Sequence, residues 1–299
     1  MKQRVDVAGK VVLITGAARG MGKLWAERFA DDGARLVLWD LDGAELERTA
    51  EELGKRARFG SGRSVAGRRH RGGGRGPSVG NGGDSSMLRT AVVDVTDSAR
   101  VHAEAVATAA QFGPVDVVVN NAGIVAGGKF EEMPDHKLTA VLDVNLRSLV
   151  YMHKAFLPQM LAKGSGHFIN ISSASGFIGV PFMPTYAASK WGVIGFTESL
   201  RLEMELLGHT GIRFTLFCPS YVDTGMFKGV RAPLLVPLLT PEKAVAQGYA
   251  GFLRGEYMVR VPLVVKFTPA LKALLPRKVF DRVSDLLGVT TSMKGWTGR

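Results

Sequence analysis

The chain has 299 residues, 46% apolar and 22% charged, a globular balance with enough apolar side chains for a sizeable core. Its single cysteine, Cys218, excludes an internal disulfide and suits a reducing compartment. The net charge of +11 invites a nucleic-acid reading, but residues 55–89 hold nine Lys/Arg and one acid, Asp84, and so carry +8 of it, leaving 29 basic and 26 acidic residues elsewhere.

Taken in chain order, KVVLITG (10–16) is a short apolar run ending in glycine, and MGKLWAERFADDG (21–33) has helical spacing. ARLVLWD (34–40) and GAELERTAEELG (43–54) repeat the strand–helix pattern. LRTAVVDV (88–95) predicts a third strand, SARVHAEAVATAAQF (98–112) a helix, and VDVVVNNAG (115–123) a fourth strand. A long helical region covers 135–163, followed by a fifth strand at GHFINISS (166–173) and a helix over 185–206. IRFTLFCP (212–219) is a sixth strand, 240–255 a helix opened by Thr240 with Pro241 at its first position, and EYMVRVP (256–262) a seventh strand. Strands that read as unbroken apolar runs are buried on both faces. The fold class is therefore α/β, a doubly wound parallel sheet of Rossmann type with about seven strands and helices on both faces. One domain spans 1–262, with a Gly/Arg-rich insertion at 55–87 and an amphipathic extension at 263–299.

TGAARGMG (15–22) ends the first strand and opens the first helix, with Gly16, Gly20 and Gly22 spaced G-x-x-x-G-x-G. Glycines there let a pyrophosphate approach the helix N-terminus, where free N–H groups and the dipole favour anions. Asp40, at the end of the second strand, can accept hydrogen bonds from ribose hydroxyls and repels a 2′-phosphate, which selects NAD over NADP. Arg19 in the turn argues the other way, and Asp40 would read equally as a cap of the next helix. YAASK (186–190) sets Tyr186 and Lys190 one turn apart on one helix face. A phenol is a poor acid/base at neutral pH, and a neighbouring ammonium lowers its pKa. Ser173 lies 13 residues upstream, where its hydroxyl can bond a substrate oxygen. Taken singly, such residues are usually surface neighbours.

Together these motifs resemble the short-chain dehydrogenase/reductase family from Val5 to Met226, apart from the insertion. The resemblance implies a cofactor turn formed by Gly16, Arg19, Gly20, Met21 and Gly22. It implies an adenine-contact pair at Asp94 and Val95, and the family's NNAG signature in Asn121, Ala122 and Gly123. CPSYVDTGM (218–226) is similar to the segment that holds the nicotinamide carboxamide, through Pro219, Val222 and Thr224, with Ser220 replacing the common glycine. The implied catalytic residues are Asn145, Ser173, Tyr186 and Lys190. Tyr186 exchanges the proton, Lys190 lowers its pKa and contacts the nicotinamide ribose, Ser173 polarises the substrate oxygen, and Asn145 supports a water path to Lys190. The expected reaction is reversible oxidation of an alcohol, the cofactor carrying the hydride. The resemblance implies a dimer or tetramer through the helices at 135–163 and 185–206, and an extended tail that blocks one such interface favours the dimer.

FIGVPFMPT (177–185) carries no charge and MFKGVRAPLLVPLL (226–239) is mostly apolar, so the substrate is expected to be lipophilic. The cationic, amphipathic stretch 263–289 is a candidate for a membrane interface, or for packing on its own domain or a neighbouring subunit. LVLWD and this tail are similar to the branch that contains retinol dehydrogenases and 17-beta-hydroxysteroid dehydrogenases of the type 11-like group. Members of that branch often carry an apolar N-terminal anchor. MKQRVDVAGK has no apolar signal core, and no run of about 18 apolar residues predicts a transmembrane helix. The expected location is cytoplasmic, at most peripheral to a membrane. No histidine shows metal-ligand spacing, so no metal is expected.

Two other readings remain. A 3-oxoacyl-carrier-protein reductase shares the motifs but usually prefers NADP and ends soon after the seventh strand, so Asp40 and the tail count against it. A non-catalytic binding protein on the same fold sits poorly with the complete set Asn145, Ser173, Tyr186 and Lys190. For the stretch 55–84, the composition predicts disorder at the sheet edge remote from the cofactor, as a passive insertion or a reading-frame artefact. Its one aromatic, Phe59, leaves little to stack on bases, which argues against nucleic acid.

Overall fold

The computed structural model describes residues 4–298 except 61–86, and of 57–60 the backbone alone. Seven parallel strands form one sheet in the order β3-β2-β1-β4-β5-β6-β7. They are β1 (Val11–Thr15), β2 (Arg35–Asp40), β3 (Leu88–Val92), β4 (Val117–Asn120), β5 (Gly166–Ile171), β6 (Ile212–Pro219) and β7 (Met258–Val261). The returning helices are α1 (Gly20–Asp31), α2 (Gly43–Gly60), α3 (Ser98–Phe112), α4 (Asp135–Leu142), α5 (Ser148–Lys163), α6 (Pro184–Leu206) and α7 (Pro241–Leu253). Two short helices, α8 (Thr268–Leu274) and α9 (Arg277–Leu286), follow β7. Among the described residues no helix is long and apolar enough to cross a membrane.

Alternation along the strands divides the apolar residues between two layers. Val12, Ile14, Leu36, Leu38, Val117 and Val119 meet Trp25 and Phe29 of α1, Leu46 of α2 and Phe252 of α7. Val11, Leu13, Val37, Trp39 and Val118 face the opposite way, onto Val101 of α3, Phe156 of α5 and Met204 of α6. With both faces covered, the strands need no polar side, which is why they read as apolar runs. The strand order reverses between β1 and β4, and this opens a crevice beyond their carboxyl ends.

Three elements differ from their sequence reading. Helix α2 continues to Gly60, past Gly54, because Arg56 pairs with both carboxylate oxygens of Asp31, at 2.7 and 2.8 Å, and with Glu27 at 3.0 Å. The disorder expected for 55–84 is therefore not met at 55–60, and for 61–84 it lies outside the described residues. The helical region 135–163 is interrupted by a π-helical turn, Asp143–Arg147. The tail at 263–289 forms a 3₁₀ turn, Leu263–Lys266, and two helices separated at Pro276. The flanks of the insertion lie at the start of β3, where Leu88 pairs with Leu36, and so opposite the strand end that carries Asp40.

Candidate active site

The turn after β1 is built for close approach. Gly16 and Gly20 adopt φ of +64° and +59°, conformations that favour glycine. A Cβ on Gly22 would collide with the carbonyl oxygen of Gly16. Asn121 ties this turn to the end of β4: its Nδ2 donates to the carbonyls of Thr15 and Gly16, both at 3.0 Å. Its buried Oδ1 has no hydrogen-bond partner among the described residues. Arg19, at the N-cap of α1, supplies no side-chain cap, and the first turn of α1 contains no acid. Its free N–H groups therefore suit an anionic ligand.

A cleft of about 710 Å³ runs over this turn. It gathers Gly16, Arg19, Gly20, Met21, Asp40, Asp94, Val95, Asn121, Ala122, Gly123 and Thr224, which sequence reading assigns to one ligand although they come from loops after β1, β2, β3, β4 and β6. Gly22, Pro219 and Val222 are not in its lining, nor are Tyr186 and Lys190, which sequence reading also assigns to the cofactor; Gly22 acts through its packing on Gly16. Leu41, Asp42, Ile124, Val144, Met226 and Trp296 also line the cleft and were missed. At the β2 end, Asp40 Oδ2 accepts from the Ala18 N–H at 2.9 Å and Oδ1 from that of Asp42 at 3.0 Å. Asp40 thus braces the glycine turn as well as lining the cleft. Arg19 is engaged in an ion pair with Asp42.

At the other end lie the four candidate catalytic residues. The π-helical turn directs Asn145 inward, where its Oδ1 accepts from the Ile124 N–H at 2.8 Å and its Nδ2 donates to the Ile124 carbonyl at 2.9 Å and to Ser189 Oγ at 3.0 Å. Ser189 in turn donates to the Tyr186 carbonyl at 2.7 Å. Lys190 Nζ donates to the Ile171 carbonyl at 3.0 Å and sits 5.6 Å from the centre of the Tyr186 ring. From sequence, Lys190 is expected to lower the phenol pKa. In the structure burial dominates and raises it, with the hydrogen bond to Ser173 pulling it down. Burial also pushes Lys190 down, to about 8. Ser220, in place of the usual glycine, is not among the residues at positive φ, and its N–H donates to the Val261 carbonyl at 2.8 Å.

Beyond Ser173 opens a cavity of about 150 Å³ whose lining includes Ile178, Val180, Met183, Tyr221, Phe227 and 233–236, with no charged side chain among the described residues. Phe177 and Phe182, read as part of this wall, are not in it. The tail supplies much of the remainder: Val264, Val265, Phe267, Leu271, Phe280, Val283, Leu287 and Val289. The apolar spacing of 263–289 was visible in sequence, but the surface it would cover was not. Farther on, Ser292 Oγ meets Tyr221 OH at 2.8 Å and Trp296 donates to the Met226 carbonyl at 3.0 Å. Isolated residues in so polar a terminus carry no periodic signal.

The family described as short chain dehydrogenase matches residues 10–63 and 79–234, and its break falls within the Gly/Arg-rich stretch. Mouse epidermal retinol dehydrogenase 2 is 35% identical over 303 residues, covering 100% of this chain and 88% of that protein. Human estradiol 17-beta-dehydrogenase 11 is 32% identical over 277 residues, covering 93% and 83%. Among solved structures, a short-chain dehydrogenase/reductase from Burkholderia phymatum in complex with NAD has a TM-score of 0.74 at 24% identity, covering 96% of this chain and 98% of that one. A metagenomic short-chain oxidoreductase in complex with NADP has a TM-score of 0.64 at 26% identity, covering 86% and 97%. With its glycine turn, its crevice at the strand reversal and these relatives, the chain belongs to the short-chain dehydrogenase family, among oxidoreductases related to retinol and hydroxysteroid dehydrogenases.

Proposed function

We propose that the protein interconverts a lipophilic alcohol and its ketone or aldehyde, with NAD as its cofactor. The observation that carries this reading is the uncharged cavity that opens at Ser173, whose hydroxyl lies beside the Tyr186 phenol. A retinoid, a steroid or a long-chain alcohol suits such a wall, whereas a charged head group would be desolvated without a partner.

The cleft fits a dinucleotide: a glycine cradle that a Cβ would fill, a helix N-terminus without a side-chain cap, the orphaned Oδ1 of Asn121 and a carboxylate at the ribose position. NAD and NADP both occur in fold neighbours, so the preference rests on this chain's own charges. Asp40 lines the cleft, and Arg19, the cation in the glycine turn, is engaged by Asp42. A 2′-phosphate would meet two carboxylates and an already paired guanidinium. Bound nicotinamide supplies or accepts the hydride. Tyr186 then gives or takes the proton at the substrate oxygen, and Ser173 hydrogen-bonds that oxygen and holds it in line. Lys190, held by the Ile171 carbonyl and lowered to about 8 by burial, exchanges a proton with Tyr186, and Asn145 orients the Ile124 backbone and α6 around them.

The cavity mouth suggests how a lipophilic substrate arrives. Leu234, Leu235, Phe267 and Leu271 line the cavity yet remain 41% to 72% exposed, and Lys266, Arg277, Lys278 and Arg282 lie exposed nearby in sequence. This rim is proposed to rest on an anionic membrane surface. Lys272 covers Trp191 of α6 at 4.1 Å, which favours a dimer over a tetramer by occupying part of one helix face.

The test is NADH formation with NAD⁺, and NADPH formation with NADP⁺, across retinol, hydroxysteroids and long-chain secondary alcohols. Turnover with NAD⁺ on a lipophilic alcohol is the expected result. Turnover only with NADP⁺ would overturn the cofactor assignment and favour the acyl-reductase reading.

A further inference from the structure

The last residues of the described chain bridge the two pockets. Val289 lines the apolar cavity and Trp296 the dinucleotide cleft. Between them the backbone is laced to the segment that follows β6: the Arg231 N–H donates to the Ser292 carbonyl and the Thr297 N–H to the Lys228 carbonyl, both at 3.0 Å. Gly229, at φ +83°, has no room for a Cβ against the Gly295 carbonyl. Met293 is buried in the same apolar cluster as Tyr186 and Tyr221.

Trp296 itself sits in a made-to-measure slot. A Cβ on Gly127 would come within 3.0 Å of the indole, and one on Gly298 would overlap it. The indole N–H donates to the Met226 carbonyl at 3.0 Å. The ring therefore spans from the loop after β4, through Gly127, to the loop after β6, through Met226. Met226 and Trp296 both line the cleft, together with Gly123, where a Cβ would lie 3.7 Å from Lys190 Nζ.

We propose that Trp296 is a dinucleotide-binding residue supplied by the C-terminal segment, and that it closes over the nicotinamide half of the cofactor. An aromatic ring fixed by two glycines and one hydrogen bond offers contact area at little conformational cost. Because its segment also holds the wall at 226–231, cofactor contact is transmitted to the apolar cavity. The proposal rests on the dinucleotide reading of the cleft.

The test is NADH titration, followed by its fluorescence, with wild type, Trp296→Ala and Trp296→Phe. The expected result is about a tenfold weaker Kd for the alanine variant, equivalent to about 1.4 kcal/mol, with most of the affinity retained by phenylalanine. Hydrogen exchange of the wild-type protein, which requires no variant to fold, should show amides at 290–298 slowed severalfold by saturating NADH. Wild-type binding of NADH with unchanged exchange at 290–298 and an unaltered Kd in Trp296→Ala overturns the role of Trp296 and leaves the cofactor reading standing. Failure of the wild type to bind either NADH or NADPH overturns both.

Discussion

Burial sets Tyr186 and Lys190 against each other: it raises the phenol and lowers the ammonium, so the isolated site holds its proton on Tyr186. Tyr186→Phe removes that proton and the oxygen that carries it. Turnover is expected to fall by about 10²–10⁴-fold while the NADH dissociation constant stays within about twofold, since the phenol is not in the cleft lining. Steady-state kinetics with parallel NADH titration checks both halves, and near-wild-type turnover would remove Tyr186 from the mechanism. Asp40 is a second residue with a definite expectation. Asp40→Ala should raise the NADP⁺-to-NAD⁺ ratio of kcat/KM by about tenfold or more, equivalent to about 1.4 kcal/mol. Because Asp40 also accepts from the Ala18 N–H, some loss of affinity for both cofactors should accompany the switch. An unchanged ratio would mean that Asp40 serves the turn alone.

Among the elements, α1 and α7 are joined by an aromatic cluster, with one polar tie where the Tyr249 hydroxyl donates to Asp32 at the C-cap of α1 at 2.8 Å. The Phe29 ring lies 5.0 Å from that of Tyr249 and 5.5 Å from that of Phe252, edge to face, and Phe29 is fully buried. Phe29→Ala is expected to destabilise the protein by about 3–5 kcal/mol, the range for large aromatic truncations in cores, seen as a lower denaturant midpoint with an unchanged slope. At the opposite extreme, the π-helical turn at Asp143–Arg147 stores its purpose in geometry. An uninterrupted α-helix would rotate Asn145 relative to α4, and its bonds to Ile124 and Ser189 would be lost. Helix α2 illustrates the reach of long-range pairing: Arg56, in a stretch that looks structureless by composition, is drawn into the helix by acids on α1.

For the molecule as a whole, two buried histidines tie stability to pH. Burial pushes His153 down to about 4, against a backbone hydrogen bond to Leu149 that raises it. It pushes His167 down to about 3, aided by the Arg213 charge. Both are neutral in the folded protein at neutral pH, while the unfolded chain takes up protons below about pH 6.5. Their contribution is therefore complete above about pH 6.5 and is lost as the pH falls toward 4, at up to about 1.4 kcal/mol per pH unit for each histidine. The thermal midpoint should fall between pH 7 and pH 5, and a flat profile would contradict the burial argument. At the same scale, deletion of 61–84 should leave kcat/KM within about twofold, because Leu88, where β3 resumes, pairs at the sheet edge away from Asp40. A large loss of turnover would show that the segment communicates with the site. Two of the cations that make this region basic already serve the fold: Arg56 pairs with Asp31, and Arg89 with Glu104 at 2.8 Å.

The parallel sheet was legible because each strand is buried on both sides, which leaves an unbroken apolar run such as VVLIT or RLVLWD. The glycine turn and the Tyr186–Lys190 pair were legible because their chemistry requires fixed residue types at fixed short spacings. Local sequence therefore determined the family, the layer architecture and the residues after β1, β2 and β4 that meet at the crevice. Tertiary structure alone decided which way the tail folds. An amphipathic stretch states that it must cover something, and only the assembled domain reveals that α8 and α9 cover the cavity at Ser173. The same holds for Trp296, whose partners Gly127 and Met226 lie far away in sequence. Such contacts depend on where the sheet brings distant loops together, and a pattern read over a few helical turns holds no record of that.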